Sequence, residues 1–359
     1  MSPKLPPHLF ALYVHWPYCL SKCPYCDFAS CVNKNIDEDT LFQGYLRDLK
    51  QFQTTTPVTS IFFGGGTPSL MSLHLIDKLM NSIQKYYTLT PDCEISMEVN
   101  PDAITKEKMV AFHKGGINRL SIGIQSLNKG ALQFLGRKHS VQTAIKTIQS
   151  AQEIFQNINI DLIYARPHQK LKDWETELQK ALSFQLSHYS LYQLTIEPNT
   201  VFAHRHISLP SETQMRKMYL LTDEIMSQAK CPAYEVSNYA RKSFECRHNM
   251  TYWLGCDYIG VGPAAHGRIG LIATQNPASV PLWIKNGVQT EKLTTAQREL
   301  EKLLMGIRLR KHPYPTKNLD AAGVQQALQK NWIYLTKEGL IPTLEGILML
   351  NKLTLILAP

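Results

Sequence analysis

The chain has 359 residues, 44% of them hydrophobic, with 38 basic against 29 acidic side chains and a formal net charge of +9. That length buries a large core and suggests one large domain with a smaller one, which excludes a minimal binding module. The opening MSPKLPPHLF has no apolar core, and the last apolar run is interrupted by Glu345 and Lys352, so neither a secretory segment nor a membrane span is expected and the chain reads as soluble and cytoplasmic.

From about residue 11 to residue 195, short apolar runs alternate with longer amphipathic stretches, the pattern of parallel strands joined by crossover helices. The expected strands are ALYVHW, SIFFGG, EISMEVN, NRLSIGIQ, INIDLIYA and HYSLYQLT. Helical patterns lie between them, including LFQGYLRDLKQF, LHLIDKLMNSIQKYY and VQTAIKTIQSAQEIF. Periodicity alone fits both an open doubly wound sheet and a partial barrel. Polar residues collect at the C-terminal ends of the strands, where barrel sites are built, and this favours an α/β fold of the partial (β/α)6 TIM-type barrel kind.

Past Thr195 the turn EPNT leads to a helix from about Ser211 to Gln228, then to two extended segments, YEVSNYA and DYIGVG, around a polar insert. From about Thr294 a small, mostly helical C-terminal domain is expected, with a winged helix as one arrangement of it. The expected division is a core over 1–232, an extension over 233–290 and the C-terminal domain over 291–359.

The chemistry begins in CLSKCPYC, where Cys19, Cys23 and Cys26 follow the first strand at C-x-x-x-C-x-x-C spacing. Three thiolates from one loop suit an iron–sulfur cluster that keeps one iron open. A structural zinc ion would need a fourth ligand, which His15 or Cys31 would have to supply. Disulfides are disfavoured in a cytosolic protein, and the five other cysteines show no second ligand spacing. Gly64, Gly65, Gly66 and Thr67 end the second strand and let backbone groups approach a ligand, but no Gly-Lys-Ser/Thr follows, so they do not form a phosphate loop. Glu98, Gln125 and Asp161 on later strands, with Arg137 in LGRKH, offer two acids, an amide and a cation around one mouth, a set suited to a nucleoside with a zwitterionic tail. Tyr13 and Tyr25 add aromatic surface for a base. The positive charge favours acidic ligands, yet no basic run interleaved with aromatics is visible, and no nucleic-acid partner is expected.

In this order and spacing, CLSKCPYC, GGGTP, EVNP, SIGIQS, LGRKH and DLIYARP resemble the radical S-adenosylmethionine family, and within it the group related to oxygen-independent coproporphyrinogen III oxidase. The resemblance implies that Cys19, Cys23 and Cys26 bind a [4Fe-4S] cluster. It implies that Tyr13, Gly65, Gly66, Thr67, Glu98, Gln125, Arg137 and Asp161 bind S-adenosylmethionine, which one-electron reduction would cleave to methionine and a 5′-deoxyadenosyl radical.

Two features separate the chain from the oxidase within this resemblance. The oxidase carries a further cysteine where Phe28 stands, and CRHNMTYW is similar to the HNxxYW motif of the HemW heme chaperones. The short stretch before Tyr13 also leaves no room for the oxidase's longer N-terminal segment. The resemblance therefore implies heme as a ligand, His248 as its axial ligand, Arg247 as a partner for propionates, and transfer to an unidentified acceptor protein, the membrane surface being one place for it. The alternative is oxidative decarboxylation of coproporphyrinogen III. One departure stands out: the family reads DLIYGLPxQ where this chain has Ala165 and Arg166, which is expected to narrow the pocket and add a charge near the cofactor.

Overall fold

Strands buried on both faces, separated by helices that bury only one stripe, leave little choice but a sheet wrapped by helices. The computed structural model describes residues 8–33 and 35–358; the opening residues read above for a leader, 1–7, lie outside them. The elements in chain order are β1 (Phe10–Trp16), β2 (Tyr18–Cys19), β3 (Cys31–Val32), α1 (Glu38–Gln51), β4 (Val58–Gly65), α2 (Leu73–Tyr86), β5 (Leu89–Val99), α3 (Lys106–Lys114), β6 (Arg119–Gln125), α4 (Lys129–Phe134), α5 (Val141–Gln152), β7 (Asn157–Tyr164), α6 (Leu171–Leu182) and β8 (His188–Gln193). All six expected strands are present.

They pair in parallel in the order β1-β4-β5-β6-β7-β8, which never reverses. Right-handed crossovers then place the helices on one outer face, where α1 packs on α2 and α3 on α5. This sequential winding has no switch point of the doubly wound kind, and it matches the partial barrel. The sheet stays open, since its edge strands do not pair with each other.

The later segments close around this core. After α7 (Glu212–Gln228) comes β9 (Asn238–Ala240), which adds antiparallel to β8. The polar insert, left unassigned in the sequence reading, is a helix, α8 (Arg247–Trp253), and DYIGVG supplies β10 (Asp257–Val261). β10 pairs in parallel with the free edge of β1, and β11 (His266–Ile269), β12 (Ile272–Gln275), α9 (Val280–Asn286) and β13 (Gln289–Lys292) follow, the three strands extending that edge antiparallel. The segment 233–290 thus contributes to both edges of one sheet.

Asp48 of α1 ties this edge down. Buried at 1% exposure, it accepts from Trp283 Nε1 at 2.8 Å, Asn276 Nδ2 at 2.8 Å and the Gly262 amide at 3.1 Å. The C-terminal part contains α10 (Thr295–Gly306), α11 (Ala321–Gln329), a hairpin of β14 (Ile333–Leu335) and β15 (Leu340–Pro342), then α12 (Leu344–Leu348) and α13 (Leu350–Leu357). Its own apolar cluster joins Leu303, Ile307, Ala327, Ile333, Leu340, Leu353 and Leu357. The C-terminal part is thus mostly helical with one two-stranded hairpin.

Candidate functional site

Side chains alternate across a strand, so every second residue of β4 to β8 faces the concave side. There the sheet is polar: Glu98 on β5, Ser121 and Gly123 on β6, Asn159 and Asp161 on β7, and Ser190 and Tyr192 on β8 line one cavity of about 530 Å³. Cys19, Cys23 and Cys26 stand in the same wall, with Tyr13, Gly66, Thr67, Gln125, Arg137 and His248. Of the residues expected from sequence, Gly65 lies outside this lining. It lines the adjoining groove instead, while its amide donates to Glu98 Oε2 at 3.1 Å.

The glycines after β4 have a structural reason as well as a steric one. Gly65 holds φ +107, and a Cβ on Gly66 would stand 2.4 Å from the Tyr18 carbonyl oxygen. Gly66 and Thr67 donate their amides to the carbonyls of Trp16 and Tyr18 at 2.7 and 2.8 Å. Their first task is therefore to seat the chain entering the cysteine loop, a role the sequence reading assigned only to ligand approach.

Arg137 spans the gap between that loop and the sheet. Its Nη2 donates to Asn100 Oδ1 at 2.6 Å and to the Gly123 carbonyl at 2.7 Å, while Nη1 lies 3.5 Å from Cys23 Sγ. Asn100 in turn donates to Thr67 Oγ1 at 3.0 Å. Gln125 takes φ +60 at the end of β6, beside a register shift, and this re-aims its amide into the cavity. Burial, and next the charge of Asp161, push the Glu98 carboxyl up to about 8; burial also raises Asp161, opposed by hydrogen bonds from Asn159 and Ser190.

The thiols fit an iron–sulfur ligand set by chemistry. Cys19, Cys23 and Cys26 are unpaired in any disulfide and open on one cavity. Among the described residues no three His, Cys, Asp or Glu side chains converge as they would on a single ion, and a cluster does not require it, since each thiolate takes its own iron. Burial pushes the Cys26 thiol up to about 11, so ligation there costs the release of a proton. Of the two candidates for a fourth zinc ligand, His15 is engaged with the Tyr13 hydroxyl at 3.0 Å and the Ala29 carbonyl at 2.9 Å, and Cys31 is exposed on β3.

Arg166 departs from its expected place. Its side chain turns away from the cofactor cavity to a buried pair with Glu177 at 2.5 Å and donates to Ser126 Oγ at 2.7 Å. The charge expected near the cofactor is thus neutralised behind the wall. Ala165 before it holds φ +57, the left-handed conformation that a glycine adopts without penalty.

The helix α8 enters the concave side and packs on β1, β4 and β10. His248 and Tyr252 are one turn apart on it, with His248 Nε2 2.8 Å from the Tyr252 hydroxyl and Nδ1 3.4 Å from Ser60 Oγ. The ring stacks on Phe62 at 4.9 Å and is 2% exposed. Burial, then the Arg119 charge, lowers its pKa to about 3. Arg247 pairs with Asp92 at 2.8 Å, so the cation expected to meet propionates is already engaged.

Beyond Tyr13, Phe28, Glu98 and Tyr252, which it shares with the cavity, a second concavity of about 570 Å³ opens, walled by Trp253, Tyr258, His266, Arg268 and Met305. Of this groove, Tyr252 and Trp253 in CRHNMTYW were expected from sequence to pack on heme, whereas Tyr258, His266, Arg268 and Met305 were not, nor were Asn100, Asn159, Ser121 and Ser190 in the cavity. The available signal was polar residues at every second position of strands otherwise too apolar for solvent.

The family model for the radical SAM superfamily matches residues 13–181. The chain is 39% identical to a HemW heme chaperone of Buchnera aphidicola over 79% of this chain and 75% of that one, and 38% identical to the Escherichia coli HemW heme chaperone over 74% and 71%. It is 34% identical to the mitochondrial radical S-adenosyl methionine domain-containing protein 1 of Danio rerio over 98% and 88%. The solved coproporphyrinogen III oxidase of Escherichia coli shares the fold at a TM-score of 0.83 and 21% identity, over 98% of this chain and 90% of that one. The chain belongs to the radical SAM superfamily and, within it, to the family of the HemW heme chaperones.

Proposed function

We propose that this protein is a heme carrier of the cytoplasm that holds a [4Fe-4S] cluster and S-adenosylmethionine beside its heme and passes the heme to an acceptor protein. The observation that carries this reading is the aromatic groove of Phe28, Tyr252, Trp253 and Tyr258 sharing a wall with the cysteine-lined cavity. A flat apolar ligand bound there would lie within reach of the cluster loop. Membership of the HemW family supports the same reading. Among the described residues no helix is long and apolar enough to cross a membrane.

In this proposal Cys19, Cys23 and Cys26 hold three irons. Glu98, Gln125, Arg137 and Asp161, with the backbone at Gly65 to Thr67 and the ring of Tyr13, orient the nucleoside and the amino-acid end of S-adenosylmethionine. When bound, the pair supplies one-electron chemistry. The protein's part is to keep water out and to fix the loop through Arg137 and the glycine turn.

His248 remains the candidate axial ligand from sequence, and its ligation would need Nε2 to leave Tyr252. The three-part division at residues 232 and 290 is likewise proposed as the functional layout, with the groove formed where the second part meets α10. The test is to reconstitute the cluster anaerobically, titrate hemin, and mix the loaded protein with an apo-hemoprotein. Heme binding followed by transfer is expected; no Soret change on titration refutes the carrier. Carbon dioxide release from coproporphyrinogen III with S-adenosylmethionine and a reductant would instead favour the oxidase.

A further inference from the structure

If heme is the cargo, its iron needs a donor atom that is free in the resting protein. His248 does not offer one, because both ring nitrogens face partners and the ring is sealed under Phe62 at 2% exposure. His266 does. It stands at the start of β11 in the wall of the aromatic groove, it is exposed, and its imidazole makes no hydrogen bond to any described residue.

Three further observations meet at this ring. Partial burial, then the charge of Arg268, holds its pKa below the ordinary value, which favours the neutral form that a metal takes. The wall around it is flat and aromatic, with Tyr252 and Tyr258 edge to face at 4.5 Å and the Trp253 indole N–H buried without an acceptor. Arg308 lies 5.5 Å over the Trp253 ring, outside the lining of the groove itself, and among the described residues carries no ion pair, which leaves an unpaired cation beside that indole. Arg268 is not that cation, being held by Glu301 at 2.8 Å.

We propose that His266, rather than His248, is the axial ligand to the iron of a tetrapyrrole seated in the groove between α8, β11 and α10, an assignment that rests on the carrier reading above. His248 is then a positioning residue: through Tyr252 it sets the orientation of the groove's aromatic wall.

The test titrates hemin into cluster-loaded wild type, His266→Ala and His248→Gln, with difference Soret spectra and magnetic circular dichroism as readouts. His266→Ala is expected to lose the imidazole-ligated spectrum, to bind hemin about tenfold or more weakly, and to regain the spectrum when free imidazole is added. His248→Gln keeps an imidazole-ligated iron. Wild-type spectrum and affinity in His266→Ala, or loss of imidazole ligation in His248→Gln alone, overturns the assignment and leaves the carrier reading intact. A wild type without any Soret change overturns both.

Discussion

Arg166 and Glu177 form a buried ion pair behind the cavity wall, and its energetics can be worked out. Both side chains are buried, at 8% and 7% side-chain exposure, and Glu177 also accepts from the Leu127 amide at 2.7 Å and from the Ser126 hydroxyl. Removing one partner of a buried pair costs about 3–5 kcal/mol, because the other charge is stranded. In Arg166→Leu, two of the donors to Glu177 survive, so the lower part of that range applies, about 3–4 kcal/mol. At roughly 2 °C per kcal/mol the melting temperature falls by about 6–8 °C. The double variant Arg166→Leu/Glu177→Gln keeps an acceptor for Ser126 and Leu127 without a stranded charge, and is expected within about 1.5 kcal/mol of the native protein. Thermal and urea unfolding of the four proteins of this cycle give the coupling, and isothermal titration gives the affinity for S-adenosylmethionine, which is expected to be unchanged. A single variant as stable as the double, or a tenfold loss of that affinity, would refute the placement of Arg166 behind the cavity wall.

Asp48→Ala removes the acceptor of Trp283, Asn276 and Gly262 and the ion partner of Arg47, and is expected to cost about 3–5 kcal/mol in urea unfolding; a loss under about 1 kcal/mol would show that this edge is not held by Asp48. Glu98 is raised to about 8 by burial first, so the folded state binds its proton more tightly than the unfolded one. Its stability contribution is full below the unfolded pKa and is lost as pH rises toward 8. Glu98→Gln should flatten the fall in stability of the ligand-free protein across that window, and an unchanged pH profile counts against the buried acid. His248 has the opposite sign: lowered to about 3, it contributes stability above the unfolded pKa that is lost as pH falls. His248→Phe should reduce the acid slope by at most about 1.4 kcal/mol per pH unit, and no reduction would place the ring in solvent. Ala165→Gly trades relief of about 1–2 kcal/mol at φ +57 against a lost buried methyl and a freer unfolded chain, so melting is expected to move by less than about 2 °C; a larger gain would mean that the left-handed alanine stores more strain than its conformation implies.

Much of this was legible in the chain itself. The apolar runs of β1, β4 and β7 could only be buried parallel strands, and the spacing Cys19, Cys23, Cys26 limits a metal to three thiolates, because both properties are local: they depend on residues a turn or a strand apart. Polar residues ending successive strands likewise announced a barrel mouth. Tertiary structure decided what locality cannot carry. Whether CRHNMTYW formed a helix inside the concavity depended on Glu94, more than a hundred residues away, accepting from the Arg247 amide at 3.2 Å. The direction of Arg166 depended on the buried face of α6 presenting Glu177 to it, and the partners of the two histidines separated a sealed ring, His248, from an open one, His266. Sequence settles which groups are available. Only the packing settles which of them still have a lone pair or a charge to offer, because that depends on every partner the fold brings within hydrogen-bonding distance.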